Sequence, residues 1–319
     1  MYRVYNGEIK KDDIEMRRVY SSKLLELMEK DNRIVALEAD LMGAITNDRV
    51  QKEKPERVIN CGIMEANMIG VAAGMSIAGK YPFAHTFTAF ASRRCFDQLF
   101  MSCAYQKNNV KVIASDAGVT AVHNGGTHMS FEDMGIMRGL ANTVVMEMTD
   151  SVMFENILDQ IALKDGFYWI RTMRKNAYTI YEKGSKFEIG KGNVVREGKD
   201  ITLIANGIMV IEAVRAAEKL EKEGISTAVI DMFTLNPIDS DLIKEYAERT
   251  GKIVTCENHS IHNGLGSAVS EVVAENGNAK VKRIGIQQRY GKVGTLEFLM
   301  EEYGLTAEHI YRKAKEFFE

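Results

Sequence analysis

The stretch from Asn60 to Gly79 constrains the fold more than any other, because it sets a single carboxylate, Glu65, at the head of a run of glycine, alanine and larger apolar residues. Arg57-Val58-Ile59-Asn60 has the composition of a short strand. Residues 68–78 have that of a helix packed closely against other backbone, so Glu65 falls where strand gives way to helix. A first-turn Glu that complements the helix dipole is the ordinary reading of such a residue. An acid in an apolar setting has a second consequence: burial raises its affinity for a proton.

Short apolar, β-branched runs at 33–37, 110–114 and 143–146 alternate with helical stretches, which predicts an α/β fold with a mainly parallel sheet covered by helices. Around Tyr181-Glu182-Lys183-Gly184-Ser185-Lys186 the pattern lapses into polar, glycine-containing sequence, and a second α/β run follows: strands at 201–205, 226–230 and 252–255, and a helix over 208–223. The expectation is two consecutive α/β domains, 1–187 and 188–319, and at 45% apolar content the 319 residues suffice for two ordinary cores.

The formal net charge of −3 offers no basic face for nucleic acid. No apolar run approaches membrane-spanning length and the N-terminus has no signal pattern. Cys61, Cys95, Cys103 and Cys256 are scattered without metal-ligand spacing, which reads as reduced thiols in a cytoplasmic protein with no metal site of its own.

Three segments in order carry a more specific signal. Gly62, Ile63, Glu65, Asn67, Met68, Ala72 and Gly74 match G-I-x-E-x-N-M-x-x-x-A-x-G. Thr86, Phe87 and Phe90, followed by Asp97-Gln98, match T-F-x-x-F with a later D-Q pair. Gly125, Thr127 and His128 match G-x-T-H. Together they resemble the pyrimidine-binding domain of transketolases, and the likeness runs from about Arg17 to the C-terminus, with further matches at Ile170-Arg171-Thr172 and Arg174. The second half, including Glu257-Asn258-His259 before Gly264-Leu265-Gly266, resembles the transketolase C-terminal domain, in which His259 and His262 are given no catalytic role.

The resemblance implies thiamine diphosphate as cofactor, its pyrimidine end bound by this chain. That chemistry needs a carboxyl group against the pyrimidine ring nitrogen, which the likeness assigns to Glu65. It implies an aromatic stacked on the ring, with Phe90 the better candidate and Phe87 beside it, although either alone reads as a core residue. Asp40, Ile63 and Arg93 are further cofactor candidates; the doubled Arg93-Arg94 lengthens the stretch before Asp97-Gln98 relative to some relatives. His128, after a glycine pair suited to a tight loop, is assigned sugar binding and proton handling. Arg17 and Arg174 are candidates for the substrate's phosphate, though singly each reads as a solvated charge.

The chain departs from the family at two points. Asn124 stands where many transketolases have an Asp that contacts a substrate hydroxyl; Asn keeps a hydrogen bond and loses the charge. A further family histidine is replaced near Ser115-Asp116, with His123 nearby.

Members of the family hold the diphosphate and Mg²⁺ with a G-D-G segment and a downstream Asn in an N-terminal domain, and no G-D-G occurs here. The expectation is therefore the C-terminal subunit of a split transketolase, active only with an N-terminal partner subunit that supplies the diphosphate and Mg²⁺ site, in a complex of two copies of each chain. It would move a two-carbon ketol unit between sugar phosphates, with xylulose 5-phosphate the first donor to test. Rival readings are a split transketolase for an unusual ketose phosphate such as apulose 4-phosphate, a 2-oxo-acid dehydrogenase β subunit, half of a deoxyxylulose phosphate synthase, and a non-catalytic scaffold that keeps the fold.

Overall fold

Near-continuous apolar runs make strands that must be covered on both faces, and the chain arranges them in two sheets. The computed structural model describes residues 1–276 and 279–319. The strands, in chain order, are β1 (Ile34–Glu38), β2 (Val58–Asn60), β3 (Tyr81–Phe87), β4 (Val110–Ser115), β5 (Thr143–Glu147), β6 (Phe167–Arg171), β7 (Asn193–Arg196), β8 (Ile201–Ala205), β9 (Thr227–Asp231), β10 (Thr234–Asn236), β11 (Lys252–Ser260) and β12 (Lys280–Ile286). The first sheet has the order β10-β5-β6-β4-β3-β1-β2 and the second β12-β11-β8-β9-β7. All pairings are parallel except two at the edges, β10 with β5 and β7 with β9. The expectation of two consecutive α/β domains with mainly parallel sheets holds.

The sheets are joined more closely than the sequence suggests. β10 follows the second domain's β9 yet adds antiparallel to the first domain's sheet: Glu147 N–H donates to Phe233 O at 2.8 Å, and Asn236 Nδ2 to Thr143 O at 2.6 Å. The apolar core also crosses, since one cluster contains Val35, Trp169, Ile204 and Ile230.

Arg171, at the end of β6, is wholly buried and ties the two domains to one loop. It donates to Asp133 at 3.0 Å, to Glu147 at 2.8 Å and to the carbonyl of Asn258, in β11, at 2.6 Å. The Asn258 side chain in turn accepts from Val119 N–H at 2.9 Å and donates to Ala117 O at 2.9 Å, holding the loop that follows β4. Buried charges are tolerated when paired, and Arg171 faces two carboxylates and a carbonyl at once, so this cluster works as one unit although Glu147 Oε2 is buried without a hydrogen bond.

The helix Glu65–Ile77 differs from expectation on its outer face. Met68, Ile69, Ala72 and Ala73 are buried, but a Cβ added at Gly70 or Gly74 would meet nothing within 4 Å, and Ile77 is exposed. The small residues make a face that the chain itself leaves uncovered.

Replacing Arg171 by Met strands Asp133 and Glu147 as buried carboxylates, so R171M should lose about 3–5 kcal/mol of stability. Urea unfolding measures it; a wild-type midpoint would contradict the role given to this residue.

Candidate active site

In open parallel sheets, loops at the carboxyl ends of the strands gather at one edge, where ligands bind. Asp40 follows β1, Ile63 and Glu65 follow β2, Phe87 closes β3 with Phe90, Arg93 and Arg94 just beyond, Asp116 follows β4, and Arg174 follows β6. The topology thus brings segments far apart in sequence to a common edge.

Several of these side chains touch in an unbroken run. Glu65 is 4% exposed, and Arg94 Nη1 donates to its Oε1 at 2.8 Å. The Arg94 guanidinium lies 3.9 Å from the centre of the Phe90 ring. Phe90 meets His128 edge-on at 4.8 Å, and Phe87 lies 5.9 Å from Phe90 and 6.1 Å from His128. On the far side the Arg174 guanidinium sits 5.0 Å over Phe87, with its Nε 2.5 Å from Asp116 Oδ2, an ion pair rather than an aligned hydrogen bond. Arg17 is beside it: its backbone N–H donates to Arg174 O at 3.1 Å, while its side chain pairs with Glu15 at 2.7 Å.

Arg94 tests whether the site suits the pyrimidine end of thiamine diphosphate. Its guanidinium is a flat cation held between a buried carboxylate and an aromatic face. A protonatable flat ring would make the same two contacts, so Glu65 and Phe90 fit the group. Sequence reasoning missed Arg94 as a site residue, although the doubled arginine was visible. Neighbouring residues at a helix end point in different directions. Arg93 turns away from Glu65 to pair with Glu132 at 2.5 Å and to donate to Met129 O at 2.7 Å. It lines a separate cavity of about 550 Å³ with Gly126, Met129, Phe131, Arg289 and Tyr290.

The structure leaves other candidates outside the run. Ile63 is 72% exposed. Asp40 is exposed at φ +60° and hydrogen-bonded to Asn60, its neighbour on β2, at 3.0 Å. Asn124 is exposed on the loop before His128.

The loop around His128 depends on its glycines. Gly125 has φ +65°, and Gly126 packs so tightly on Gly291 of the second domain that a Cβ would lie 3.2 Å from the Gly291 carbonyl oxygen. The neighbouring Thr127 sets the imidazole. Its hydroxyl reaches Asn124 O at 3.2 Å and His128 Nδ1 at 2.8 Å; donation to the carbonyl suits the tautomer with the proton on Nδ1 and the lone pair on Nε2. Burial, and then the charge of Arg94, push His128 below its ordinary pKa of 6.5, against the opposing pull of Asp116. The imidazole is therefore neutral at pH 7, with a lone pair free to take a proton.

Beneath the site lies a second buried network, also missed from sequence. His85 Nδ1 is 2.7 Å from Glu38 Oε2 and its Nε2 is 3.0 Å from Ser115 Oγ, while Asn47 donates to Glu38 at 2.6 Å. Burial pushes the neighbouring Asp116 above the usual carboxylate range, opposed by the charge of Arg174.

A fold with a carboxylate, clustered aromatics, an imidazole and two arginines at its carboxyl edge is that of a thiamine diphosphate enzyme's pyrimidine-binding half. The profile of the transketolase pyrimidine-binding domain matches residues 12–179, and that of the transketolase C-terminal domain residues 190–310. The 6-deoxy-6-sulfo-D-fructose transketolase subunit SqwH of Clostridium sp. (strain MSTE9) is 46% identical over 309 residues, covering 97% of this chain and 96% of the relative. One of the apulose-4-phosphate transketolase subunits of Phocaeicola vulgatus is 32% identical, covering 95% of this chain and 97% of the relative. A solved split-gene transketolase, an inactive beta4 tetramer, superposes with a TM-score of 0.88 at 40% identity, covering 95% of this chain and 98% of that one. The chain belongs to the transketolase family, as a counterpart of the C-terminal subunits of split, two-chain transketolases.

Arg94 faces His128 closely enough for its charge to be felt, so an NMR titration should find the His128 midpoint below 6.5 and Arg94→Ala should raise it. A midpoint unmoved by the substitution would contradict this placement.

Proposed function

We propose that this chain is the C-terminal subunit of a transferase that moves a two-carbon ketol unit from an anionic ketose to an aldose, with an N-terminal partner subunit completing the site. The observation that carries the reading is the continuous run from Glu65 through Arg94, Phe90, His128 and Phe87 to Arg174, which orders acid, aromatic face, proton acceptor and cation along one edge.

Each group has a task in that order. When bound, thiamine diphosphate supplies the carbon nucleophile for ketol transfer. Glu65 holds a proton at the pyrimidine nitrogen, and Phe90, supported by Phe87, takes the ring face once Arg94 has moved aside. His128 Nε2 accepts a hydroxyl proton from the sugar and returns it, and Arg17 and Arg174 hold the sugar's charged end. Asn124 is proposed to hydrogen-bond a sugar hydroxyl. Asp40 and Ile63 are proposed cofactor contacts at the seam with the partner. Arg93 acts indirectly, by clasping the loop that carries His128.

The diphosphate and Mg²⁺ are assigned to the partner subunit, since the chain has no G-D-G segment and the described residues include no group of three or more His, Cys, Asp or Glu side chains able to hold a metal. The open face of helix Glu65–Ile77, with exposed Ile63, Met64 and Ile77, supports a protein partner there, and we propose two copies of each chain. Among the described residues no helix is long and apolar enough to cross a membrane. Unpaired Cys61, Cys95, Cys103 and Cys256 support a cytoplasmic setting.

Xylulose 5-phosphate is the first donor to offer. A second reading, an unusual ketose, is favoured by Asn124 and by the carboxylate of Asp116 beside Arg174. The relatives' donors, apulose 4-phosphate and 6-deoxy-6-sulfo-D-fructose, are its natural candidates.

The test is reconstitution with the partner, thiamine diphosphate and Mg²⁺. Glu65→Gln keeps the volume and removes the acid, so turnover should fall by about 10²–10⁴-fold with an unchanged circular dichroism spectrum. Near wild-type turnover of this variant would contradict the assignment, and an assembled complex inert toward every ketose would favour the scaffold reading.

A further inference from the structure

We propose that Asp116 is the specificity-determining residue of this site and selects a ketose whose terminal carbon carries a monoanionic sulfonate over one that carries a phosphate dianion. The inference rests on the ketol-transfer reading above and names the donor class within it.

The argument starts from how firmly the carboxylate is fixed. Ser115 closes β4 with its hydroxyl 3.0 Å from His85 Nε2 and its carbonyl accepting from Thr88 Oγ1 at 2.7 Å. On the other side, Ala117 O accepts from Asn258 Nδ2 at 2.9 Å and Ala117 N–H donates to Thr172 O at 3.3 Å. Between these anchors Asp116 adopts φ +56°, a left-handed conformation uncommon for a residue with a side chain. Its carboxylate is 4% exposed and 2.5 Å from Arg174 Nε. A loop held on both flanks in a disfavoured conformation keeps this negative charge where the sugar's tail is recognised, and solvent does not screen it.

Its effect depends on the charge of the tail. Arg174 carries one positive charge, and Asp116 cancels it before any ligand arrives. Arg17 also has a carboxylate neighbour, Glu15 at 2.7 Å, which Lys175 shares at 3.1 Å. A phosphate monoester carries about −1.5 to −2 at neutral pH. An alkyl sulfonate carries a single negative charge and has the same tripod of oxygens. The dianion's stronger attraction to the guanidiniums is offset by equally stronger repulsion from the carboxylates, so the balance decides. Arg17, Arg174 and Lys175 against Asp116 and Glu15 leave a net charge of +1, which neutralises a sulfonate and leaves a phosphate dianion with an uncompensated negative charge beside buried Asp116. A fixed repulsive charge is an efficient way to reject a competitor of the same shape.

The test uses this chain assembled with its N-terminal partner, thiamine diphosphate and Mg²⁺, and compares kcat/KM for 6-deoxy-6-sulfo-D-fructose and fructose 6-phosphate, each with the same aldose phosphate as acceptor of the two-carbon unit. The wild type should favour the sulfonate by about tenfold or more, and Asp116→Asn, with Asp116→Ser beside it, should move the ratio toward the phosphate by about tenfold. The ratio is the readout because damage to the fold lowers both rates together, and the wild-type preference decides the matter even if neither variant folds. A wild type that prefers the phosphate, or a ratio unmoved by Asp116→Asn, overturns the inference. L-erythrulose, a ketose without a charged tail, separates the two failures: transfer from it alongside a phosphate preference sinks only the tail assignment. No transfer from any of the three donors sinks the ketol-transfer reading and this inference with it.

Discussion

Arg171 is the constraint from which the rest of the geometry follows. It is a buried guanidinium at the carboxyl end of a central strand, which must find several acceptors at once or not be tolerated. It finds them in three places: Asp133 beyond the His128 loop, Glu147 at the end of β5, and the Asn258 carbonyl on the second domain's β11. Because Asn258 also grips Ala117 and Val119, a single ion cluster sets the loops that carry Asp116 and His128 relative to the sheet that carries Phe87. The second domain thus acts on the site through the loops that Asn258 holds.

The site itself is arranged around a carboxylate that the chain buries and then has to satisfy. Glu65 is met by Arg94, which also lies flat on Phe90. On the proposed reading, the pyrimidine ring replaces a guanidinium with a flat protonated heterocycle, exchanging like for like in shape and charge. His128 sits edge-on to the same Phe90, so on that reading one aromatic ring separates the proton proposed for Glu65 from the proton proposed for the imidazole. Glu65 needs a cationic surrounding and His128 a lone pair, and the positive Arg94 serves both by pairing with the first and discouraging protonation of the second.

Much of this was legible in the sequence. The apolar run at 201–205 predicted β8 residue for residue, and the strand-to-helix switch around Glu65 placed the acid correctly at the helix start. Other elements were hidden for physical reasons. β3, Tyr81–Phe87, contains Pro82 and the buried polar pair His85-Thr86, so it lacks the apolar signature of its neighbours; Glu38 and Ser115, which satisfy His85, lie on the strands either side of it. β10 is three residues long and pairs with a sheet whose other strands lie before residue 172, a partnership no local pattern encodes. The opposite orientations of Arg93 and Arg94, and the ion pair between Asp116 and Arg174, depend on tertiary contacts, so the sequence could name the residues without saying which faced the acid.

The central claim is that Glu65 and Phe90 form a ring-binding site which Arg94 fills in the chain by itself. The most direct measurement is a crystal structure of the chain assembled with its partner subunit, thiamine diphosphate and Mg²⁺. The account predicts the Glu65 carboxyl within hydrogen-bonding distance of the pyrimidine nitrogen, the ring over Phe90, and Arg94 displaced from both. A cofactor bound elsewhere, with Arg94 still lying on Phe90 and paired with Glu65, would contradict it.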